Sequence, residues 1–248
     1  MNELLLLASA GFLAGAMNAM VGGGSFASFP ALIAAGVPPV VANASSAVAL
    51  YPGGLISSWV LRRGAGPIGG VSLLLLSAIT AFGGLAGALL LLKTPGATFD
   101  RIVPWLLLIA TLALAFGRRL DLARLGTGAS RWGLLGGQFM LGVYGGYFGG
   151  AAGIMMVAFW VFAAGSDPKA VQAQRTFLVV AANSAAVLFF SAAAIVNWHS
   201  VLLVAPAALA GGYCGAHVGL RLRPLQVRIA TVAIAAAVTF LFFVRAYA

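Results

Sequence analysis

Long apolar stretches separated by short polar segments run through all 248 residues. A helix needs about 20 apolar residues to cross a bilayer core of about 30 Å, so the longest stretches hold two crossings and the shorter ones hold one. Strands of a membrane barrel would alternate polar and apolar residues instead. The pattern therefore predicts an all-α integral membrane protein with about eight transmembrane helices. Six stretches have no charged residue: 4–61, 64–92, 102–117, 132–166, 176–220 and 229–244.

The polar loop 118–131 is the natural seam between a first transmembrane repeat, 1–117, and a second, 132–248. It carries four arginines and one aspartate, which makes it the most polar segment of the chain. The predicted membrane helices are 4–21, 40–61, 67–92, 102–117, 132–149, 169–196, 199–220 and 225–245.

Two apolar runs are too short to span a bilayer as helices. The run 26–35 follows a glycine triplet, and the run 154–164 follows the glycine-rich segment 149–153. Each ends at a glycine with a proline two or three residues beyond. Both are predicted to be re-entrant or half helices that are entered through a glycine break.

An internal repeat links the two halves. The glycines at 11, 15 and 22 recur 131 positions later, and the segment 83–88 matches 211–216 with an offset of 128. With four crossings in each half, both halves enter from the same side, which predicts a parallel repeat with its pseudo-two-fold axis along the membrane normal. If the half helices crossed fully, the count would become odd and the repeat inverted.

Composition supports the membrane assignment. Hydrophobic residues make up 62% of the chain and charged residues 7%, whereas soluble domains carry roughly 25% charged residues. The formal net charge of +10 is explained by loop arginines that meet anionic lipid head groups, so no nucleic-acid partner is expected. Cations divide seven to seven between the predicted sides, or seven to five if Arg175 and Arg228 lie within helices, which favours cytoplasmic termini.

The glycine breaks are the first candidate site, because a half helix points its N–H groups and positive dipole end at whatever occupies the cavity there. Glycines spaced as small-xxx-small, such as 142, 146 and 150 or 211, 215 and 219, are instead attributed to close helix packing. The predicted substrate-binding residues are Asn18, Gly22, Gly23, Gly24, Ser25, Asn43, Ser45, Ser46, Gly149, Gly150, Gly153, Gln172, Gln174, Arg175 and Thr176.

Arg175 is the strongest individual candidate. A guanidinium about 10 Å into a membrane helix is costly unless it is paired or faces water, and its fork of donors suits anion oxygens. The alternative is an arginine that reaches the head groups or binds backbone carbonyls at the break. His217 could relay a proton, since histidine titrates near neutrality, or could be hydrogen-bonded within the bundle.

The sequence offers little for catalysis. The four acidic residues fall at termini or in loops, so no carboxylate lies inside a predicted helix to couple protons. We find no ATP-binding loop, no metal-ligand cluster and no nucleophile with a base, so neither a cofactor nor a metal is expected and an enzyme is poorly supported.

The segment Gly11 to Ser46 resembles the sulfite exporter TauE/SafE family of membrane transporters. It combines a glycine-rich turn, Phe29-Pro30-Ala31-Leu32, and then Gly-Val-Pro-Pro-Val-Val-Ala at 36–42. A more diverged copy runs from Gly142 to Thr176. Ala44-Ser45-Ser46 and Gln174-Arg175-Thr176 replace the Gly-Thr-Ser of the family pattern, so the substrate can differ.

The resemblance implies transport of sulfite, sulfonates or related organosulfur anions, with export as the direction. The sequence thus predicts a multi-pass secondary transporter of a bacterial plasma membrane, whose partners are a small anion and membrane lipid and which allows a homo-oligomer. Two alternatives stay open: a passive anion channel or uniporter, which the missing membrane carboxylate would permit, and a membrane enzyme or assembly factor.

Overall fold

The computed structural model of the chain describes residues 3–20, 22–116, 129–167, 170–219 and 224–247. These ranges contain ten α-helices, and a short 3-10 turn, Arg62–Gly64, follows the third. The helices are α1 (Glu3–Met20), α2 (Ser25–Ala34), α3 (Pro39–Leu61), α4 (Leu73–Lys93), α5 (Gly96–Phe116), α6 (Arg131–Tyr147), α7 (Ala152–Ala164), α8 (Gln172–Ala192), α9 (Trp198–Gly219) and α10 (Pro224–Tyr247).

Four helix boundaries, in three helices, differ from the prediction by three residues or more. The helix α4 begins at 73 rather than 67, because Ile68 and Val71 pair across two glycines of positive φ and Ser72 then caps the helix. The helix α5 begins at 96 rather than 102, since charged side chains are tolerated at a helix end. The helix α8 covers 172–192 rather than 169–196. Most of the predicted seam, 118–128, lies outside the described residues.

Six helices are long and apolar enough to cross a membrane: α1, α3, α4, α5, α8 and α10. The helices α6 and α9, which the sequence also predicts to span, are not among these six within the described residues. The chain is therefore an all-helical, multi-pass membrane protein.

The two short helices α2 and α7 form where the sequence predicts them. Before α2, Gly22 has a φ of 90°, and before α7, Gly149 and Ala151 have φ values of 79° and 55°. Glycines of positive φ also follow both helices, at 36 and 165. Because left-handed backbone reverses the chain at little cost mainly in glycine, these positions fix where each short helix begins and ends.

Glycines bring two pairs of helices into backbone contact. A Cβ atom on Gly15 or Gly211 would overlap a carbonyl oxygen of the partner helix in the α1–α9 pair. Gly146 and Gly87 are equally close to backbone in the α4–α6 pair. These contacts confirm the packing role predicted for the small-xxx-small glycines 142, 146, 211 and 215.

The two interfaces correspond residue by residue. In α1–α9 the close pairs are 11/204, 15/208 and 12/211, and in α4–α6 they are 142/80, 146/84 and 143/87. The α1 residues correspond to the α6 residues with an offset of +131. The α9 residues correspond to the α4 residues with an offset of −124. The offset for α4 and α9 is thus 124 rather than the 128 found by aligning sequence, a shift of about one helical turn.

The predicted parallel relation of the halves is contradicted by the helix directions. A parallel repeat requires the equivalent helices α3 and α8 to run the same way. They run antiparallel: Tyr51 binds Ser184, Gly54 faces Val180, and Gly64 faces Ala173. The reason is that α2 carries the chain back from its break, so that α3 runs parallel to α9, as the pairs 45/197 and 53/209 show, and hence parallel to α1.

The bundle consequently has two chemically different ends. The terminal end holds Glu3 beside His199 and, in another pair, Asp100 with an oxygen 3.9 Å from Arg245. The arginine end holds Arg62, Arg63, Arg131 and Arg228 among the described residues, with Arg228 donating to the carbonyl of Ala115. Arg245 and Arg101 therefore lie at the terminal end, opposite to Arg62.

Candidate functional site

A polar cavity of about 200 Å³ lies where the two helix breaks meet α3 and α8. Its wall combines side chains and glycines from both halves of the chain. Nine of the fifteen predicted residues line it: Asn18, Gly22, Ser25, Asn43, Ser46, Gly149, Gly153, Arg175 and Thr176.

Arg175 reaches this cavity from the fourth position of α8. A Cβ atom on Gly153 would lie 3.1 Å from Cγ of Arg175, and one on Gly22 would lie 3.6 Å from its Nη1. The stem of the arginine therefore packs against the start of α7, and its guanidinium lies beside the break before α2. Larger residues at 22 or 153 would compete with the side chain for this space.

Both short helices direct their N-termini at the cavity. Gly22 and Ser25 at the start of α2 line it, as do Gly149 and Gly153 at the start of α7. The first turn of a helix carries N–H groups without intrahelical partners and a partial positive charge. Among the described lining residues, Arg175 is the only Lys, Arg, Asp or Glu. Together with the two helix N-termini it gives the cavity a positive electrostatic character.

Four of the predicted residues do not line the cavity. They contact other parts of the protein, while residues next to them in the chain line the cavity. Gly23 faces Phe26 and Thr231, and a Cβ on Gly24 would lie 2.6 Å from the carbonyl oxygen of Ala14. A Cβ on Gly150 would meet the ring of Phe148. Ser45 is fully buried and accepts a hydrogen bond from the amide of Asn197.

The two predicted glutamines also lie outside the lining. Gln172 opens α8, and its carbonyl accepts the hydroxyl of Thr176 at 3.0 Å. Gln174 is buried beside Gly66 and Ala170. The carboxamide orientation that satisfies both neighbours has its oxygen accept from the amide of Gly66 and its nitrogen donate to the carbonyl of Ala170. Gln174 thus connects the start of α8 to the segment before α4.

Three polar lining residues were not predicted: Tyr51, Ser57 and Asn183. Tyr51 and Ser57 lie on α3, and Asn183 lies on α8. A helical-face argument finds Asn183, since positions 175, 179 and 183 recur every four residues and share one face. Steps of three or four residues likewise join 43, 47, 50, 54, 57 and 61 on the lining face of α3.

The cavity is closed toward the terminal end by buried hydrogen bonds. Asn43 Nδ2 donates to the carbonyl of Tyr147 at 2.9 Å, and the hydroxyls of Ser28 and Ser46 are 2.7 Å apart. Ser45 binds the amide of Asn197 at 2.8 Å. In the other direction the lining continues to Leu61, the residue before Arg62. The cavity therefore extends toward the arginine end.

His217 lies away from this cavity. It is exposed on α9, where its Nδ1 is 2.8 Å from the carbonyl oxygen of Tyr213 and its ring lies against the ring of Tyr213. The contacts of His217 are local to its own helix. They agree with the alternative of a hydrogen-bonded histidine rather than with a proton relay.

A cavity lined by polar and apolar residues, with two interrupted helices pointing at it from corresponding places in the chain, is an arrangement typical of membrane transporters. The family model for the TauE/SafE sulfite exporters matches residues 7–242. The chain belongs to this family of membrane transporters.

Curated relatives agree with the family. The chain is 27% identical to a probable membrane transporter protein of Haemophilus influenzae, over 88% of this chain and 84% of that protein. It is 29% identical to the probable membrane transporter protein ORF9 of a Sinorhizobium species, with 88% and 82% covered, and 29% identical to YfcA of Escherichia coli K12, a probable membrane transporter protein, with 85% and 77% covered. No solved structure matches the chain.

The predictions of a multi-pass bacterial membrane transporter, and of a transporter rather than an enzyme, are confirmed by the family and its relatives.

Proposed function

We propose that this protein is a secondary transporter that exports small anions. The observation that carries the proposal is the position of Arg175, whose guanidinium adjoins the break before α2 while its stem packs on the start of α7. Arginine binds planar or trigonal oxyanions through paired donors, and helix N-termini bind anions through free amides. The site therefore brings three sources of positive potential to one cavity.

The size of the cavity supports a small substrate. A volume of about 200 Å³ is below the 300–1,000 Å³ typical of sites for drug-sized ligands. Sulfite or a short sulfonate with a few waters fits this volume. The description of the family as sulfite exporters favours organosulfur anions within this class.

An inverted repeat is our proposal for the architecture, because each half has five helices among the described residues once its short helix is counted as carrying the chain back. The antiparallel course of α3 and α8 and the matching α1–α9 and α4–α6 contacts support it. Its halves would be 1–117 and 132–248, joined by 118–131, with the pseudo-two-fold axis in the membrane plane. Transporters of this kind alternate access by moving one repeat against the other around a site at their interface.

Charge distribution supports cytoplasmic exposure of the arginine end. The undescribed segments 117–128, 168–169 and 220–223 each connect a helix that ends there to a helix that begins there. Cations on this end or in those connections are Arg62, Arg63, Arg118, Arg119, Arg124, Arg131, Lys169, Arg221, Arg223 and Arg228. The terminal end has three: Lys93, Arg101 and Arg245.

Ten cations against three support a cytoplasmic position for the arginine end by the positive-inside rule. Both termini would then lie outside, and the cavity would extend toward the cytoplasm, as loading of an exported anion requires. We expect a C-terminal epitope tag in intact spheroplasts to bind an antibody without permeabilisation. Binding only after permeabilisation would contradict this orientation.

A passive channel or uniporter is the second candidate. The observation in its favour is that, among the residues that the structure describes, none of those lining the cavity is an aspartate or glutamate that could carry a coupled proton. Arg175 would serve either mechanism, so the site alone does not separate them.

Flux into proteoliposomes tests the proposal. Radiolabelled sulfite, thiosulfate and a short sulfonate are assayed with and without a proton gradient. A secondary transporter accumulates anion against its concentration only when a gradient is present. Flux that ignores the gradient would support the channel, and no flux of any anion would refute anion transport.

A further inference from the structure

The lining face of α8 changes character along its length. Arg175 and Thr176 form a polar level, Val179 and Val180 an apolar one, and Asn183 a second polar level. Eight residues separate Arg175 from Asn183, which corresponds to about 12 Å along the helix axis. The extended arginine side chain can shorten the distance between their polar atoms. The cavity therefore offers a second polar position beyond a short apolar wall.

Tyr51 reaches the same level from α3. Its hydroxyl is 2.7 Å from the hydroxyl of Ser184, and the Ser184 hydroxyl lies 2.7 Å from the carbonyl of Val180. A serine hydroxyl has one hydrogen, and within a helix it is commonly given to the carbonyl four residues earlier. Ser184 then accepts from Tyr51, which leaves the Tyr51 oxygen with acceptor capacity only.

Asn183 completes this level. It is half-buried, it lines the cavity, and it makes no hydrogen bond to any of the residues that the structure describes. A carboxamide away from bulk water needs partners, since an unmade hydrogen bond costs roughly 1–3 kcal/mol. Bound water or a substrate group supplies them.

We propose that Asn183 and Tyr51 determine specificity by binding a hydrogen-bond donor of the transported anion. The proposal rests on the proposed function, in which Arg175 binds the charged group. The preferred substrate is then a small anion that carries a hydroxyl or amino group a few bonds from its charge. Tyr51 and the Asn183 oxygen accept from this group, while Val179 and Val180 contact the carbon chain between.

Three matched anions test the donor requirement. They are 2-hydroxyethanesulfonate, which has a donor, 2-methoxyethanesulfonate, which has only an acceptor, and ethanesulfonate, which has neither. Each is added as a competitor of sulfite flux in proteoliposomes of the full chain. We expect the hydroxy compound to compete at about a tenfold lower concentration than the other two, because the site otherwise leaves its own polar groups unpaired. Equal competition by all three would overturn the proposal.

Two substitutions then locate the effect. Asn183→Leu keeps the approximate volume, and Tyr51→Phe removes only the hydroxyl, so we expect either to bring the three anions to equal potency, because the hydroxy compound loses more than the other two. Ser9→Ala is the control, since Ser9 is exposed and binds only carbonyls of its own helix. An unchanged preference, or an equal loss for every anion including sulfite, would show a structural role and overturn the proposal.

These measurements distinguish a failure of the specificity proposal from a failure of the proposed function. If sulfite flux depends on Arg175 but the three sulfonates compete equally, anion transport stands and the specificity proposal is wrong. If the protein moves no anion in any preparation, the proposed function fails, and with it the inference.

Discussion

Asn43-Ala44-Ser45 of α3 and Gln174-Arg175-Thr176 of α8 occupy equivalent places, 131 residues apart, and use them differently. In α3 the flanking polar side chains bind Tyr147 and Asn197 of the second half, and Ala44 between them is fully buried. In α8 the middle residue is an arginine that lines the cavity. We therefore propose that the first copy closes the cavity and the second binds the ligand.

Removing the charge from the second copy should have the largest effect on transport. We expect Arg175→Ala to reduce anion flux at least about 100-fold, because a charge-assisted contact with an anion in a low-dielectric cavity is lost. Arg175→Lys should retain part of the flux, since it keeps the charge without the paired donors. Initial rates in proteoliposomes, normalised to folded protein, measure both.

The control for this pair is Arg63→Ala, an exposed arginine at the same end of the bundle that does not line the cavity. This control shows whether a loss of flux comes from anion binding in the cavity or from the removal of any positive charge at this end. Normal transport by a well-expressed Arg175→Ala variant would mean that the arginine is structural and that the anion binds elsewhere.

Where the halves are alike, matched substitutions should have matched effects. A methyl group at Gly15 would overlap the backbone of Ala208, and one at Gly146 would overlap the backbone of Gly84. Because backbone cannot yield as a side chain can, we expect Gly15→Ala and Gly146→Ala each to destabilise the protein by about 1–3 kcal/mol. Thermal unfolding in detergent should show a lower Tm for both.

Gly136→Ala is the control for these variants. Gly136 is exposed on α6, and a Cβ atom there has nothing within 4 Å, so its Tm should be unchanged or slightly raised. A large drop for only one of the two packed glycines would argue against equivalent α1–α9 and α4–α6 interfaces.

The sequence predicts the elements of this fold better than their directions. Glycine breaks and flanking prolines locate α2 and α7 to within two residues, because they act locally. Whether a ten-residue helix reverses the chain depends on where its far end lies, and this is set by contacts such as Ser45 with Asn197, 152 residues apart. The same reversal by α7 turns α8, α9 and α10 relative to the first half. It brings Arg228 to the end of the bundle that holds Arg62 and takes Arg245 to the opposite end, which is why the even division of cations does not hold.

For the site, too, the sequence predicts residues at the glycine breaks better than residues farther along the helices. Gly22, Gly153 and Arg175 lie at the breaks and can be predicted from them. Gly24 and Ser45 are adjacent to lining residues but face away, because consecutive helical residues point about 100° apart. Asn183 was missed because it is two turns from the break, although its spacing from Arg175 places it on the same helical face.

Weakening the closure in the first copy is the smallest change we expect to detect. Asn43→Ala removes the donor to the carbonyl of Tyr147 and leaves that buried group unpaired, at a cost of roughly 1–3 kcal/mol. Because the bond joins α3 to the end of α6, its loss should favour opening toward the terminal end. In a Cys214→Ser, Ser28→Cys background, a membrane-impermeant thiol reagent should then label Cys at 28 several-fold faster from that side.

Gln174→Ala, the equivalent change in the second copy, should leave this rate unchanged, since Gln174 binds Gly66 and Ala170 near the arginine end. Equal labelling of the Asn43→Ala variant and its parent would show that Ser45 and the rest of the packing hold the closure without Asn43.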